Sequence, residues 1–141
     1  MRKFQSLPPD ILNRLDLLAE ALSAHDQVVF AYLFGGLVTG TVKPLSDVDI
    51  AVWVNSAQSI AETKLDLIGV IAKTLGTDEF DLVILNSASL SLAGRILRQR
   101  RVLVDKDPQQ RHLFESLTNR KFFDFSRKEE ALLRRRFPDG R

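Results

Sequence analysis

Leu33-Phe34-Gly35-Gly36 closes one apolar run, and after a ten-residue gap Asp47-Val48-Asp49 opens another. Glycines directly after a strand let the backbone approach a ligand closely, and successive N–H groups can cradle a phosphate. Asp47 and Asp49 stand at i and i+2, so on a strand their carboxylates point to one face. Such like charges call for a cation between them. Hard oxygen donors suit Mg²⁺, which takes one or two carboxylates together with substrate phosphates. Asp81 lies inside Phe80-Asp81-Leu82-Val83-Ile84-Leu85. An acid within an apolar strand is costly unless paired or metal-bound. Carboxylates on adjacent strands make a two-metal site for in-line displacement at phosphorus. Blander readings stay open at each position. Asp47 suits a turn or cap after Ser46, Asp49 and Asp81 suit a salt bridge, and the glycine pair suits a simple strand-ending turn.

These residues need elements to position them. Pro8-Pro9-Asp10 is a helix-start signal, and Ile11, Leu12, Leu15, Leu18, Ala19 and Leu22 recur at helical spacing, which predicts a helix over roughly 9–24. Val28 to Phe34 is a continuous apolar run and reads as a buried strand. In the strand predicted from Asp47 to Val54, Asp47, Asp49, Ala51 and Trp53 share one face, and the valines and Ile50 share the other. A helix over 58–75 is expected to end at Gly76 as its C-cap. Phe80 to Leu85 is a third strand, Ser87 to Arg101 a further helix, and Val102 to Val104 an edge strand. The remainder is helical in pattern to about Arg136, with a break expected near Phe122–Phe125. The fold class is α/β, a small mixed sheet with helices packed on one side.

The chain has 141 residues and no cysteine, which fits one domain spanning 1–141 and excludes disulfides and thiolate metal sites. Met1 to Ser6 is not followed by the apolar core of a signal peptide, and no apolar run is long enough to span a bilayer. A cytoplasmic protein without membrane contact is expected. The net charge of +2 hides an asymmetry. Residues 1–89 carry 6 Lys/Arg against 11 Asp/Glu, a net of −5, and residues 90–141 carry 14 against 7, a net of +7. The basic helical segment at about 107–137 reads either as a surface for an anionic ligand or acidic partner, or as a solvated helix face. Arg95, Arg98, Arg100 and Arg101 are candidates for phosphates or for such a partner, and Phe122-Phe123-Asp124-Phe125 for a partner surface.

At this point the chain resembles the minimal nucleotidyltransferases, the small members of the DNA polymerase β superfamily. Leu33-Phe34-Gly35-Gly36-Leu37-Val38-Thr39-Gly40 and Ser46-Asp47-Val48-Asp49-Ile50 match their Gly-Ser and Asp-x-Asp signature in spacing. Phe80-Asp81-Leu82-Val83-Ile84-Leu85-Asn86 resembles the family's third acidic strand, and Ile96 to Val104 its helix-to-strand segment. The resemblance implies a nucleotidyltransferase (polymerase β-like) fold. It also implies an antitoxin partnered with a HEPN-domain toxin in a hetero-oligomer. The implied reaction is transfer of AMP from ATP, with Mg²⁺, to a hydroxyl of the toxin, typically a tyrosine. By the same carry-over Asp47 and Asp49 bind both metals, Asp81 holds the catalytic metal and helps activate the hydroxyl, and Gly35 and Gly36 hold the triphosphate.

Two positions depart from the pattern: Gly36 stands where the family has serine, and Thr39 where it usually has arginine. A hydrogen bond to a charged group is worth about 1.5–3 kcal/mol. Its absence corresponds to roughly 10- to 100-fold in rate. The departures imply a slower enzyme or, as the alternative, an antitoxin that neutralises its toxin by binding and occlusion. Transfer to a small molecule or RNA end is a lesser reading, with RNA kept open by the basic tail.

Overall fold

The computed structural model describes residues 11–35, 48–55 and 58–136. Gly36, Thr39 and Asp47 lie outside the described residues, as do Pro8 to Asp10 and the last few residues of the chain. The elements run α1 (Ile11–Ser23), β1 (Val28–Phe34), β2 (Val48–Val54), α2 (Ile60–Leu75), β3 (Phe80–Ile84), a 3₁₀ turn (Leu85–Ser87), α3 (Leu90–Arg98), β4 (Arg101–Asp105) and α4 (Pro108–Arg136).

Local chemistry sets several of these boundaries. The Ser59 hydroxyl accepts from the Glu62 N–H at 3.2 Å and starts α2. Gly76 ends it with φ +71° and donates its N–H to the Ala72 carbonyl. Arg14 of α1 reaches the same helix end, donating from Nη1 to the Leu75 carbonyl at 3.0 Å. Ser89 caps α3 by accepting from the Leu92 N–H at 3.1 Å. This cap starts α3 at Leu90 after a 3₁₀ turn, and the helix ends at Arg98 because β4 begins at Arg101, so a shorter helix replaces the single one expected over 87–101. Asp107 accepts from the Gln110 N–H at 3.1 Å, with Pro108 as the first residue of α4.

The sheet order is β3-β2-β1-β4. β1 pairs antiparallel with both β2 and β4, whereas β2 and β3 are parallel. Parallel neighbours need a crossover, and α2 supplies it. Asn86 prolongs the β2–β3 ladder beyond the end of β3. Its Oδ1 accepts from the Val54 N–H at 3.0 Å, and its Nδ2 donates to the Val54 carbonyl at 2.8 Å.

The mixed α/β sheet agrees with the sequence reading, but its helices lie on both faces rather than on one. Val48, Ile50, Val52 and Val54 pack with Ala31 and Leu33 against Leu18 and Leu22 of α1 and Leu67 and Ile71 of α2. The opposite face buries Phe30, Tyr32 and Ala51 against Ile96 and Leu97 of α3, with Trp53 and the α4 residue Phe114 packed alongside. The physical reason is the continuous apolar run of β1, which requires cover on both sides.

The break expected near Phe122–Phe125 is absent, and α4 is continuous for 29 residues. Phe122 lies directly on the α3 backbone at Gly94, where an added Cβ would come within 2.6 Å of its Cγ. The Arg98 guanidinium, one turn farther along α3, lies over the same ring at 4.8 Å from its centroid. This contact ties the middle of α4 to α3. No helix among the described residues is long and apolar enough to cross a membrane.

Candidate functional site

β1 ends where β2 and β3 begin, so one rim of the sheet gathers Phe34-Gly35, Asp49 and Asp81. In the parallel register Asp49 and Asp81 are direct partners, and across the other edge of β2 Asp49 pairs with Phe34. Neighbouring strands lie about 4.8 Å apart. Direct partners in a parallel pair project to the same face, so the two carboxylates stand side by side. Asp49 is half-buried and Asp81 is exposed. Alternation along β2 puts Asp49 on the face of Ala51 and Trp53, the side covered farther along by α3 and α4.

Gly35 completes this rim. Its φ of +79° lies in the left-handed region that favours glycine. A Cβ at this position would sit 3.2 Å from Cγ of Asp49 and closer still to Oδ2. The Gly35 backbone thus lies against the Asp49 carboxylate, where a turn glycine can approach whatever that carboxylate binds. Of the residues expected from sequence, the structure brings Gly35, Asp49 and Asp81 together, and Gly36 and Asp47 fall outside its described part. Among the described residues no group of three or more His, Cys, Asp or Glu is placed to hold a metal ion. The described donor set is the pair Asp49 and Asp81. Two hard oxygen donors from adjacent strands fit Mg²⁺ carried in with substrate phosphates.

Sequence reasoning missed a charged cluster on the same sheet face. Glu115 of α4 is 8% exposed and accepts from the Tyr32 hydroxyl at 2.7 Å. Arg100 donates to both of its carboxylate oxygens, from Nε at 2.9 Å and Nη2 at 3.2 Å. Arg111 adds a bond from Nη1 at 3.1 Å and pairs through Nη2 with Asp105 at 3.0 Å. Burial pushes the Glu115 carboxyl up, but hydrogen bonds from Tyr32, Arg100 and Arg111 outweigh it and hold the group below its ordinary value. Burial and the bond to Glu115 raise the Tyr32 hydroxyl well above its ordinary value. The hydrogen bond to Asp105 raises the Arg111 guanidinium, against the effect of burial. The available signal was one i, i+4 pair, Arg111 and Glu115, beside the apolar Phe114.

The cluster changes the reading of the arginines. Arg100 is committed to Glu115 and the Leu97 carbonyl, and Arg98 to the Phe122 ring. Trp53 is a sheet-face core residue, stacked on Phe30 at 5.8 Å and near Phe114 at 5.2 Å.

Comparison with known proteins agrees with this fold. The sequence profile of the family described as Polymerase beta, Nucleotidyltransferase matches residues 17–109. No curated protein matches the chain. Among solved structures, a toxin–antitoxin complex with AMP-PNP contains a chain 26% identical, with a TM-score of 0.65, covering 86% of this chain and 94% of that one. A tri-AMPylated Shewanella oneidensis HEPN toxin in complex with MNT antitoxin gives 23% identity and a TM-score of 0.66 over 86% and 94% of the two chains. The toxin–antitoxin MntA-HepT gives 24% identity and a TM-score of 0.64 over 86% and 95%. The last two likenesses are of fold. With the profile spanning both acidic strands and the fold shared with minimal nucleotidyltransferase complexes, the chain belongs to the polymerase β nucleotidyltransferase family.

Proposed function

We propose that this chain is an antitoxin that transfers AMP from ATP to a hydroxyl, typically a tyrosine's, of a HEPN-domain toxin with which it forms a hetero-oligomer in the cytoplasm. The observation that carries the reading is the side-by-side register of Asp49 and Asp81 beneath the Gly35 turn. The AMP-PNP in one similar complex supports ATP as donor, and the AMPylated toxin in a fold-level relative exemplifies the product.

Asp49 and Asp81, with Asp47 by family carry-over, would hold Mg²⁺, which supplies positive charge to the attacking and leaving oxygens. Gly35 keeps the rim free of a side chain, so the triphosphate can lie against the backbone. Asp81, the more open carboxylate on the outer strand, faces the arriving acceptor and favours loss of its hydroxyl proton. The acceptor oxygen bonds to the α-phosphorus, the α–β phosphoanhydride bond breaks, and pyrophosphate leaves. Intact-mass measurement of a HEPN partner after incubation with ATP and Mg²⁺ tests the reading. One or more added AMP groups, absent with Asp49→Asn, are expected; an unchanged mass with the wild-type chain refutes it.

Gly36 favours a second reading, binding and occlusion with weakened catalysis. Restoring the family residue separates the two. Gly36→Ser should raise the transfer rate by roughly 10- to 100-fold. Toxin neutralisation that survives Asp49→Asn would favour occlusion.

A further inference from the structure

A groove of about 340 Å³ opens on the sheet face that carries the acidic pair. It lies between the end of β2 and α4, lined by Trp53, Leu85, Leu113, Leu117 and Lys121. Leu113 is 59% exposed and Leu117 40% exposed, so the α4 wall offers apolar surface to solvent. Lys121 is the one charged group among the described lining residues.

The groove has a fixed relation to the site. Trp53 follows Asp49 by four residues along β2, and Leu85 follows Asp81 by four. Even spacing keeps Asp49 and Trp53 on one face, and Leu85, at the start of the 3₁₀ turn, packs in the cluster on that same face; at about 3.3 Å per residue the groove lies about 13 Å from the carboxylates. An extended polypeptide spans that distance in about four residues.

We propose that this groove is an acceptor subsite: it receives an apolar side chain, with an acidic residue beside it, from the segment of the acceptor protein that bears the modified hydroxyl. The proposal rests on the adenylyl-transfer reading. The exposed leucines supply the apolar seat, and Lys121 selects the acidic neighbour. The anchor then stands about four positions from the modified residue when the segment is extended. Trp53 already has Phe30 stacked on it and Phe114 beside it, which favours a peptide side chain over a stacked base as occupant.

The test is steady-state AMP transfer from ATP to a HEPN-domain partner by the full chain. The variants are Leu113→Ala/Leu117→Ala and Lys121→Glu, all at exposed positions, with thermal melts to verify folding. The KM for the partner should rise about tenfold or more, as for central interface residues. The KM for ATP and kcat at saturating partner should stay unchanged. An unchanged KM for the partner overturns the proposal. So does a rise confined to the KM for ATP, which would make the groove a nucleotide subsite. If the wild-type chain transfers no AMP, the adenylyl-transfer reading fails by itself, and calorimetric binding of the partner then judges the groove. Weaker binding by the variants supports partner contact there, and equal binding overturns it.

Discussion

Gly35 and Asp49 are so closely apposed that a Cβ on the glycine would lie 3.2 Å from Cγ of the aspartate. The nearest collision is with Oδ2, the end of the side chain, so the aspartate would yield before the strand did. Gly35→Ala should therefore affect chemistry more than folding. The positive φ alone costs an alanine about 1–2 kcal/mol of stability. Displacing the Asp49 carboxylate should lower AMP transfer by about 100-fold, the scale of a misplaced catalytic group. Urea denaturation and a transfer assay on the same preparation check the split. Equal losses in both would mean that Gly35 serves the turn alone.

Asp49 and Asp81 are partners in one register but differ in setting, half-buried against exposed. At an exposed position even the loss of an ion pair is worth about 1 kcal/mol or less, so Asp81→Asn should lower the thermal midpoint only slightly. AMP transfer should fall by about 100-fold or more, the scale for loss of a charge-stabilising group in an active site. Chelation by EDTA should abolish wild-type transfer, and added Mg²⁺ should restore it. Transfer that persists in EDTA would remove the metal from the proposed reaction.

How much of this was legible in the sequence depends on how local each cause is. The β1 bounds Val28–Phe34 and the Gly76 cap follow from an apolar run and one left-handed residue, both visible in a few letters. The pairing of Asp49 with Asp81 follows from two acids placed alike in two apolar strands. The second helical layer was harder to read, although the two-sided apolar character of β1 implied it. The Glu115 cluster depends on contacts no local pattern encodes: Tyr32 and Glu115 are separated by 83 positions in sequence. The aromatic run Phe122-Phe123-Asp124-Phe125 suggested a break because its tertiary partner, Gly94, could not be seen.

Gly94 and Phe122 form the crossing point of α3 and α4. A Cβ at Gly94 would come within 2.6 Å of Cγ and 2.7 Å of Cε2 of the ring. An aromatic ring seated on backbone has little room to retreat. Gly94→Ala should cost about 1–3 kcal/mol through overpacking, despite alanine's better helix propensity. Hydrogen exchange should show the loss concentrated in α4 beyond residue 118, with the β1–β2 core unaffected. A stabilised variant would show that the ring moves freely.

Glu115 anchors the start of α4 to the sheet, and its carboxyl titrates below its ordinary value in the fold. A carboxyl depressed in the folded state stabilises it fully above the ordinary glutamate range of about 4.3, and the stabilisation is lost as pH falls through the folded value. Tyr32 acts at the opposite end. Its raised pKa leaves stability intact below the ordinary tyrosine value of about 10 and removes it progressively above. Glu115→Gln leaves Arg100 and Arg111 without their shared carboxylate. Because Arg100 is 33% exposed, the cost should be about 2–3 kcal/mol at neutral pH, below that of breaking a fully buried pair. Tyr32→Phe removes one hydrogen bond to a charged acceptor and should cost less, about 1.5 kcal/mol. Denaturation measured from pH 7 down to 3 should show the wild-type chain losing part of its advantage over Glu115→Gln as the carboxyl protonates. A constant difference across that range would mean that Glu115 contributes by packing rather than by charge.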